Sequence, residues 1–445
     1  MPRVGLEMSI RSLKWILIVE MALSSLYIAM TRGVFLVYLA EKGLDLAGVA
    51  LVSLGSGVLS TVIGVATFKR PELLSRKFKL KLISAHGLER LTWIPLGLID
   101  DILLLTVVYA IYSVFQAITS LSMNLVIFGS FNEEEVRDVV AKRVASGAAA
   151  SIIGLGLATA LLGFLEGYGK YHALFLLGSG VGLLSTALTM TQNLSHLEGL
   201  RFPCVVEERG RIFAASTFQL ALSASGALFS MAWTPFLIHS LGYPAYLAAA
   251  MGLVGTASSV FGAPFWRHLH PRKYRIALLL NAVIPILVIL SSAPWFQLSL
   301  SAMAAFSFSG ASLLGTYLFA RYNRWLGAIR SSALALAVGG LAQLVASGLG
   351  LLLDSLFSEA FAITTALKFT ALAMTALVIP EVAIVPPHIA RAYANAAYGV
   401  TLMGYRVSVA ITKETLITVL RILALTFTLL TLYVIYRTLS LLLIW

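Results

Sequence analysis

Five ionisable side chains lie inside long apolar stretches of the sequence, where they could bind a ligand or carry a proton. They are Glu20, Arg32, Glu89, Arg90 and Lys368. A charge at the centre of a bilayer costs at least roughly 2.5–3.5 kcal/mol, so each residue needs a partner, a hydrated cavity or a route to the membrane surface. These residues are therefore the first candidates for a functional role.

Glu20 and Arg90 are predicted at similar depths, about 9 and 13 Å inside the same membrane boundary at a rise of 1.5 Å per residue. We therefore predict a Glu20–Arg90 ion pair, and assign gating or proton coupling to Glu20, Glu89, Arg90 and Lys368. In this hypothesis, protonation of Glu20 or Glu89 releases its basic partner. The alternatives are a static buried pair, or an Arg90 side chain that reaches the headgroups. Arg32 either binds an anionic substrate or reaches the opposite headgroups, and its depth favours the headgroups.

Membrane-spanning helices must hold these residues. Of the 445 residues, 59% are hydrophobic and only 12% are charged, whereas about a quarter of a soluble domain is charged. This composition excludes a soluble enzyme or nucleic-acid binder, and the unbroken apolar runs exclude a transmembrane barrel. The runs predict twelve spans at about 14–40, 46–67, 81–99, 102–129, 143–165, 170–191, 211–238, 244–266, 275–294, 296–320, 330–353 and 358–380, and a thirteenth at about 414–436.

The basic residues alternate between the predicted loops. Segments on the side of the N-terminus hold 22 Lys and Arg residues, whereas the loops on the other side hold only Lys42 and Lys170. The positive-inside rule then places the N-terminus in the cytoplasm of a multi-pass cell-membrane protein. The net charge of +12 follows from this topology. We expect the lipid bilayer, and no nucleic acid, as its partner.

The two halves of the chain repeat each other. Gly57 and Gly64 have the same spacing as Gly255 and Gly262, about 198 residues later, and each pair precedes a basic loop. Parallel repeats of this kind predict two six-helix bundles within an all-α polytopic membrane protein. We place the bundles at 1–191 and 212–385, and a cytoplasmic linker at 192–211. Residues 386–445 would form a cytoplasmic stretch and an extra C-terminal helix.

In topology, duplication and glycine placement, residues 14 to about 385 resemble the major facilitator superfamily of secondary transporters. The family's loop between spans two and three usually carries Gly, Asp and Arg, but here Gly64 is followed by the segment FKRPE (68–72), which has no aspartate. The sequence is therefore similar to a divergent member without an intact loop motif. The resemblance implies a central cavity lined by the first, fourth, seventh and tenth helices.

Polar residues on one face of these four helices are the predicted cavity wall, because polar groups facing lipid are costly. The predicted substrate contacts are Glu20, Tyr27, Thr31, Tyr109, Gln116, Gln219, Trp233 and Thr316. For the hydroxyl residues, bonding to their own helix carbonyls is the alternative. Small residues allow helices to approach closely in lipid, which predicts packing between the halves at Gly57, Gly64, Gly156, Gly163, Gly255 and Gly262.

We predict a secondary active transporter that moves a small organic solute by alternating access, with protons as a candidate coupling ion. One alternative is an exporter of drugs or amphipaths, and another is a membrane-embedded enzyme or lipid-handling scaffold that does not transport. His86 and Glu89 match half of a zinc-peptidase motif, but Arg90 stands where the second histidine is required, and Cys204 is the only cysteine. We therefore predict no catalytic residues, metal or cofactor. We also predict that the protein is a monomer.

Overall fold

The computed structural model describes residues 2–200 and 209–403, and the regular elements in these ranges are all helical. They are α1 (Pro2–Met30), α2 (Arg32–Glu41), α3 (Leu46–Lys69), α4 (Glu72–Ser75), α5 (Phe78–Leu91), α6 (Trp93–Leu96), α7 (Ile102–Ser130), α8 (Glu133–Phe164), α9 (Gly169–Met190), α10 (Arg209–Pro235), α11 (Ala245–Arg267), α12 (Tyr274–Ile289), α13 (Pro294–Leu326), α14 (Ala328–Leu353) and α15 (Phe357–Leu377). Residues 387–403 form a further helix, α16. The predicted helix at 414–436 lies outside the described residues.

The described helices correspond in position to the first twelve predicted spans. Within the described ranges, ten helical segments are long and apolar enough to cross a membrane, with α1 and α2 forming one of them. The third crossing is α5 with α6, which carries several charges, and the ninth is the apolar helix α12. The predicted all-α polytopic fold is confirmed. The predicted division at 191 and 212 falls near the end of α9 at Met190 and the start of α10 at Arg209.

The first two crossings of each half are joined by equivalent turns. Gly43 between α2 and α3 has a φ of +86°, and Gly242 between α10 and α11 has a φ of +68°. Residues with a Cβ rarely adopt this left-handed backbone, so glycine is favoured at both turns. After the first turn, Asp45 accepts a hydrogen bond of 2.8 Å from the backbone N of Gly48 and caps α3. The repeat seen in the sequence thus extends to backbone conformation.

The hydrophobic core differs between the two membrane faces. We call the face at which α1 begins the N-terminal face and the other the opposite face. In the opposite half of the molecule, one continuous core joins both bundles and contains Phe35 and Leu39 together with Leu237 and Ala248. Toward the N-terminal face the core splits into two clusters, which share packing along α3 and α14. The two bundles are thus held together most extensively at the opposite face.

Glycines bring α3 and α14 into backbone contact along their whole length. A Cβ built on Gly57 would lie 2.8 Å from the backbone N of Leu344, and one on Gly340 would lie 2.5 Å from the backbone N of Thr61. Nearer the N-terminal face, a Cβ on Gly64 would clash with the backbone of α14. Because lipid provides no hydrophobic drive for helix association, such close approach supplies the packing energy. We call this contact the α3–α14 seam.

Candidate functional site

A cavity of about 620 Å³ lies between the two bundles. This volume is within the range of about 300–1,000 Å³ that is common for small-molecule sites. The wall is contributed by both bundles, and its residues include Arg32, Phe35, Ser53, Tyr109, Ser223, Phe229, Ser230, Trp233, Asn281, Phe308, Gln343 and Lys368. On the opposite face, the shared core that contains Phe35 and Leu237 closes it.

The charged residues that the structure describes on the cavity wall are all positive. Among the described residues that line it, Arg32 and Lys368 are the charged side chains, and none is Asp or Glu. Arg32 is exposed into the cavity, and Glu89, which acts on it electrostatically, forms its ion pair with Arg90 instead. Each cation therefore faces the cavity without a carboxylate of its own among the described residues.

Lys368 is held in the middle of α15 by neutral groups. Its Nζ donates a hydrogen bond of 3.0 Å to the backbone oxygen of Asn281 and lies 4.5 Å from the centre of the Phe229 ring. The residue is only 3% exposed. A carbonyl and an aromatic face stabilise a buried ammonium group only in part, because its charge is not neutralised. Lys368 thus presents an incompletely satisfied cation to the cavity.

Aromatic rings give the wall an apolar surface on both sides. In the first bundle, Phe35 stacks on Tyr109 with ring centres 4.7 Å apart. In the second, Phe229 and Trp233 lie 4.6 Å apart, and Trp233 Nε1 donates a hydrogen bond of 2.9 Å to Gln297 Oε1. These contacts fix the ring orientations, so the wall is suited to the flat or apolar part of an organic ligand.

A break in the first crossing determines where Arg32 points. Thr31 separates α1 from α2 with φ −112° and ψ −87°, values outside the helical region. Its Oγ1 donates a hydrogen bond of 2.8 Å to the backbone oxygen of Tyr27. The regular 100° per residue does not continue through such a break, so residues before and after it need not share a face. Arg32, just beyond the break, lies on the cavity wall rather than at the headgroups.

A closed polar network fills the interior of the first bundle. Glu20 Oε1 accepts a hydrogen bond of 2.7 Å from Ser24 Oγ and lies 3.3 Å from His86 Nε2. Arg143 Nη2, from α8, lies 3.1 Å from Glu20 Oε2. His86 Nδ1 is 2.8 Å from Thr186 Oγ1 on α9. Side chains of four helices are thus joined around a single carboxylate.

Arg90 completes this network from α5. Its Nη1 donates a hydrogen bond of 2.7 Å to Glu89 Oε2, and its Nη2 donates one of 2.9 Å to Ser24 Oγ. Its guanidinium lies 5.1 Å from the centre of the Tyr27 ring. The predicted Glu20–Arg90 ion pair is therefore not formed. Arg90 pairs with Glu89 instead, and Glu20 pairs with Arg143. Ser24 and His86 connect the two pairs.

The comparisons with known proteins give matches in structure alone. No protein-family model matches the chain, and no curated protein matches its sequence. Two crystal structures of the nucleoside transporter NupG are similar to it, with TM-scores of 0.65 and 0.60 at 14% identity; each covers 81% of this chain, and the match spans 99% and 98% of NupG. A bacterial homologue of the human lysosomal transporter Spinster, in an inward-facing and occupied conformation, is similar at 12% identity, with a TM-score of 0.58 over 81% of this chain and 95% of its own.

The chain has the major facilitator fold. The predicted resemblance is therefore confirmed at the level of the fold. At these identities the likeness carries no information on substrate or coupling ion.

Within the major facilitator fold, the structure brings two of the eight predicted substrate contacts, Tyr109 and Trp233, to the cavity wall. Glu20, Tyr27 and Thr31 are buried among the helices of the first bundle instead. The polar face of α1 points there because His86 and Arg143 partner the Glu20 carboxylate, and a buried carboxylate without such partners is costly. The polar face of α1 thus predicted that these residues are buried in protein. It did not distinguish the interior of the first bundle from the cavity between the bundles.

The other three predicted contacts also lie outside the wall described above. Gln219 donates a hydrogen bond of 3.0 Å to Ser223 Oγ and packs on Gly315 of α13. Thr316 donates one of 3.1 Å to its own helix at Ser312 O, which is the alternative considered for hydroxyl residues. Gln116 is half-buried on α7.

The six predicted glycine contacts separate into three groups. Gly57 and Gly64 lie in the α3–α14 seam, and Gly163 faces Tyr246 of α11 at the opposite face. Gly255 and Gly262 face α13 of their own bundle rather than the other bundle, and no atom lies within 4 Å of a Cβ built on Gly156. The difference arises because each helix also has close neighbours within its own bundle, which need small residues as well.

Sequence reasoning missed two features of the site. Lys368 was predicted to take part in coupling, and for Arg32 the headgroups were favoured over an anionic substrate, whereas both residues line the cavity. Their mid-span position in an otherwise apolar stretch was the only signal. Gly340, the partner of Thr61 in the seam, was also missed, although its place beside Gly339 marks a site of close approach.

Proposed function

We propose that this protein is a secondary active transporter that moves a small organic solute by alternating access. The observation that carries this proposal is the cavity between two repeated bundles, which is closed at one face and bounded by residues from both. A static scaffold has no need for such a space, whereas a transporter binds its substrate there, near the membrane midplane. We propose further that it works as a monomer in the cell membrane with a cytoplasmic N-terminus.

In this proposal the two bundles rock about the α3–α14 seam. The backbone contact at Gly57, Gly64 and Gly340 persists, because glycine surfaces can rotate against each other without interlocking side chains. The contact of Gly163 with Tyr246 at the opposite face breaks in the second state. The cavity then opens alternately to the N-terminal face and to the opposite face.

Proton coupling through the network of the first bundle is the finer part of the proposal. Its titratable and charged members are Glu20 on α1, His86, Glu89 and Arg90 on α5 and Arg143 on α8, while α9 contributes only hydroxyls. Two carboxylates balance two guanidinium groups when the imidazole is neutral. Protonation of a carboxylate would leave a net buried charge, and such an imbalance can bias one conformation over another.

Uptake into proteoliposomes tests both parts. Purified protein is screened by thermal shift against solutes, lipids and drugs, including nucleosides because NupG is a nucleoside transporter. Stabilising compounds are then assayed for saturable uptake with and without an inward proton gradient. We expect saturable uptake that Glu20→Gln uncouples from the gradient. The absence of uptake for every stabilising compound would contradict transport, and gradient-driven uptake by folded Glu20→Gln would contradict coupling through Glu20.

A further inference from the structure

We infer that the ligand of the central cavity is an organic anion, one that carries a carboxylate or phosphate group on an apolar or aromatic body. This inference rests on the proposed function and names its substrate class. It begins with the charge of the wall, where Arg32 and Lys368 face the cavity and no described lining residue is acidic.

Within the part of the chain that the structure describes, neither cation has a counter-charge of its own. The hydrogen-bond partner of Lys368 is a backbone carbonyl of α12, and its other neighbour is the ring of Phe229. The acid that acts on Arg32, Glu89, is already engaged by Arg90 at 2.7 Å. Lys368 is buried, and a buried cation without a counter-charge is destabilising. A bound oxyanion would supply a counter-charge to Lys368 and to the exposed Arg32, and it would accept their unused N–H groups.

The positions of the two cations connect binding to conformation. Arg32 belongs to α2 in the first bundle and Lys368 to α15 in the second. An anion between them is attracted by both bundles, so it favours the state in which they approach. The stacked pair Phe35–Tyr109 and the tilted pair Phe229–Trp233 offer aromatic surfaces to the apolar body of the ligand.

Equilibrium binding to the purified full-length protein tests this inference without any membrane gradient. The probes are two matched pairs: an aryl carboxylate with its uncharged primary amide, and a nucleoside monophosphate with its uncharged nucleoside. Calorimetry and quenching of tryptophan fluorescence measure affinity, since Trp233 lies on the wall. The two pairs distinguish carboxylate from phosphate as the preferred oxyanion.

We expect at least one anion to bind about 10- to 100-fold more tightly than its uncharged partner, the range given by charge-assisted hydrogen bonds. Arg32→Gln and Lys368→Met should each remove most of this preference, and Lys368→Arg should retain it. Lys142→Gln is the matched control, because Lys142 pairs with Asp138 on the surface of α8. Melting curves establish that each variant is folded.

Equal affinity for the charged and uncharged members, no binding of either anion, or unchanged preference in both folded variants would overturn the inference. Anion binding without uptake would support it while contradicting transport. Uptake of an uncharged member in preference to its anion would support transport while overturning this inference.

Discussion

Arg32 and Lys368 face the same cavity from opposite bundles, one just beyond a helix break and the other in the middle of a crossing. Neither position is favourable for a charge in lipid, and neither cation has a carboxylate of its own among the described residues. The described cavity wall therefore carries positive charge without paired carboxylates, whereas the network around Glu20 is balanced in charge. In the proposed function, ligand binding and structural charge pairing are therefore separated in space.

The α3–α14 seam makes a prediction that adjacent glycines can test. Gly340→Ala places a methyl group 2.5 Å from the backbone N of Thr61, whereas nothing lies within 4 Å of a Cβ at Gly339. We expect Gly340→Ala to destabilise the protein by about 1–3 kcal/mol, the usual cost of overpacking. Gly339→Ala should be neutral or stabilising by up to about 1 kcal/mol, because alanine favours the helix. Thermal unfolding in detergent measures both, and equal effects of the two substitutions would contradict the close seam.

The Glu20–Arg143 ion pair predicts strong coupling in a double-mutant cycle. Removal of one partner from a buried pair leaves an uncompensated charge and typically costs about 3–5 kcal/mol. We expect Glu20→Gln and Arg143→Gln each to lower stability, and the double variant to lose less than the two effects combined. Denaturation of all four proteins gives the coupling energy. Additive losses would show that Glu20 draws its stabilisation from His86 and Ser24 alone.

The loop after α9 tests the orientation in the membrane. Glu198, exposed at the N-terminal face, and Ser355, exposed at the opposite face, serve as labelling sites in a Cys204→Ser background. The charge asymmetry predicts that Glu198→Cys reacts with an impermeant maleimide only from the cytoplasm, and Ser355→Cys only from outside. Labelling of intact cells and of inverted vesicles measures this. The reverse pattern would overturn the predicted topology.

The sequence was sufficient to predict the fold because each crossing leaves a local signal. Apolar length, basic loops and the repeated Gly57/Gly64 and Gly255/Gly262 spacings each depend on residues near one another in the chain. The third crossing was the least regular in sequence, and in the structure it is α5 and α6 interrupted at Thr92.

The site was predicted less well because it depends on tertiary geometry. A polar stripe on α1 indicated burial, but could not show that Glu20 turns toward α5 and α8 rather than the cavity. The break at Thr31 changed the direction of Arg32, and the packing of α15 beside α10 and α12 brought Lys368 to the wall. Tyr109 and Trp233 were correctly placed on the cavity wall, because both lie on the polar faces of helices expected to line the cavity.

Accessibility of the cavity from the opposite face tests alternating access most directly. A Cβ on Gly163 would lie 3.8 Å from the Cβ of Tyr246, which matches the mean separation of about 3.8 Å in disulfides. Gly163→Cys with Tyr246→Cys can therefore lock that face when oxidised. Ser230→Cys, on the exposed part of the cavity wall, serves as the reporter in a Cys204→Ser background.

The decisive measurement is the rate at which an impermeant maleimide, applied from the opposite face, labels the Ser230→Cys reporter with and without the oxidised lock. We predict that the lock slows this labelling at least about tenfold and leaves labelling from the N-terminal face unchanged. Two results would contradict a cavity that opens alternately to the two sides. One is an equal rate of labelling from the opposite face with and without the oxidised lock, and the other is no labelling from that face in either protein.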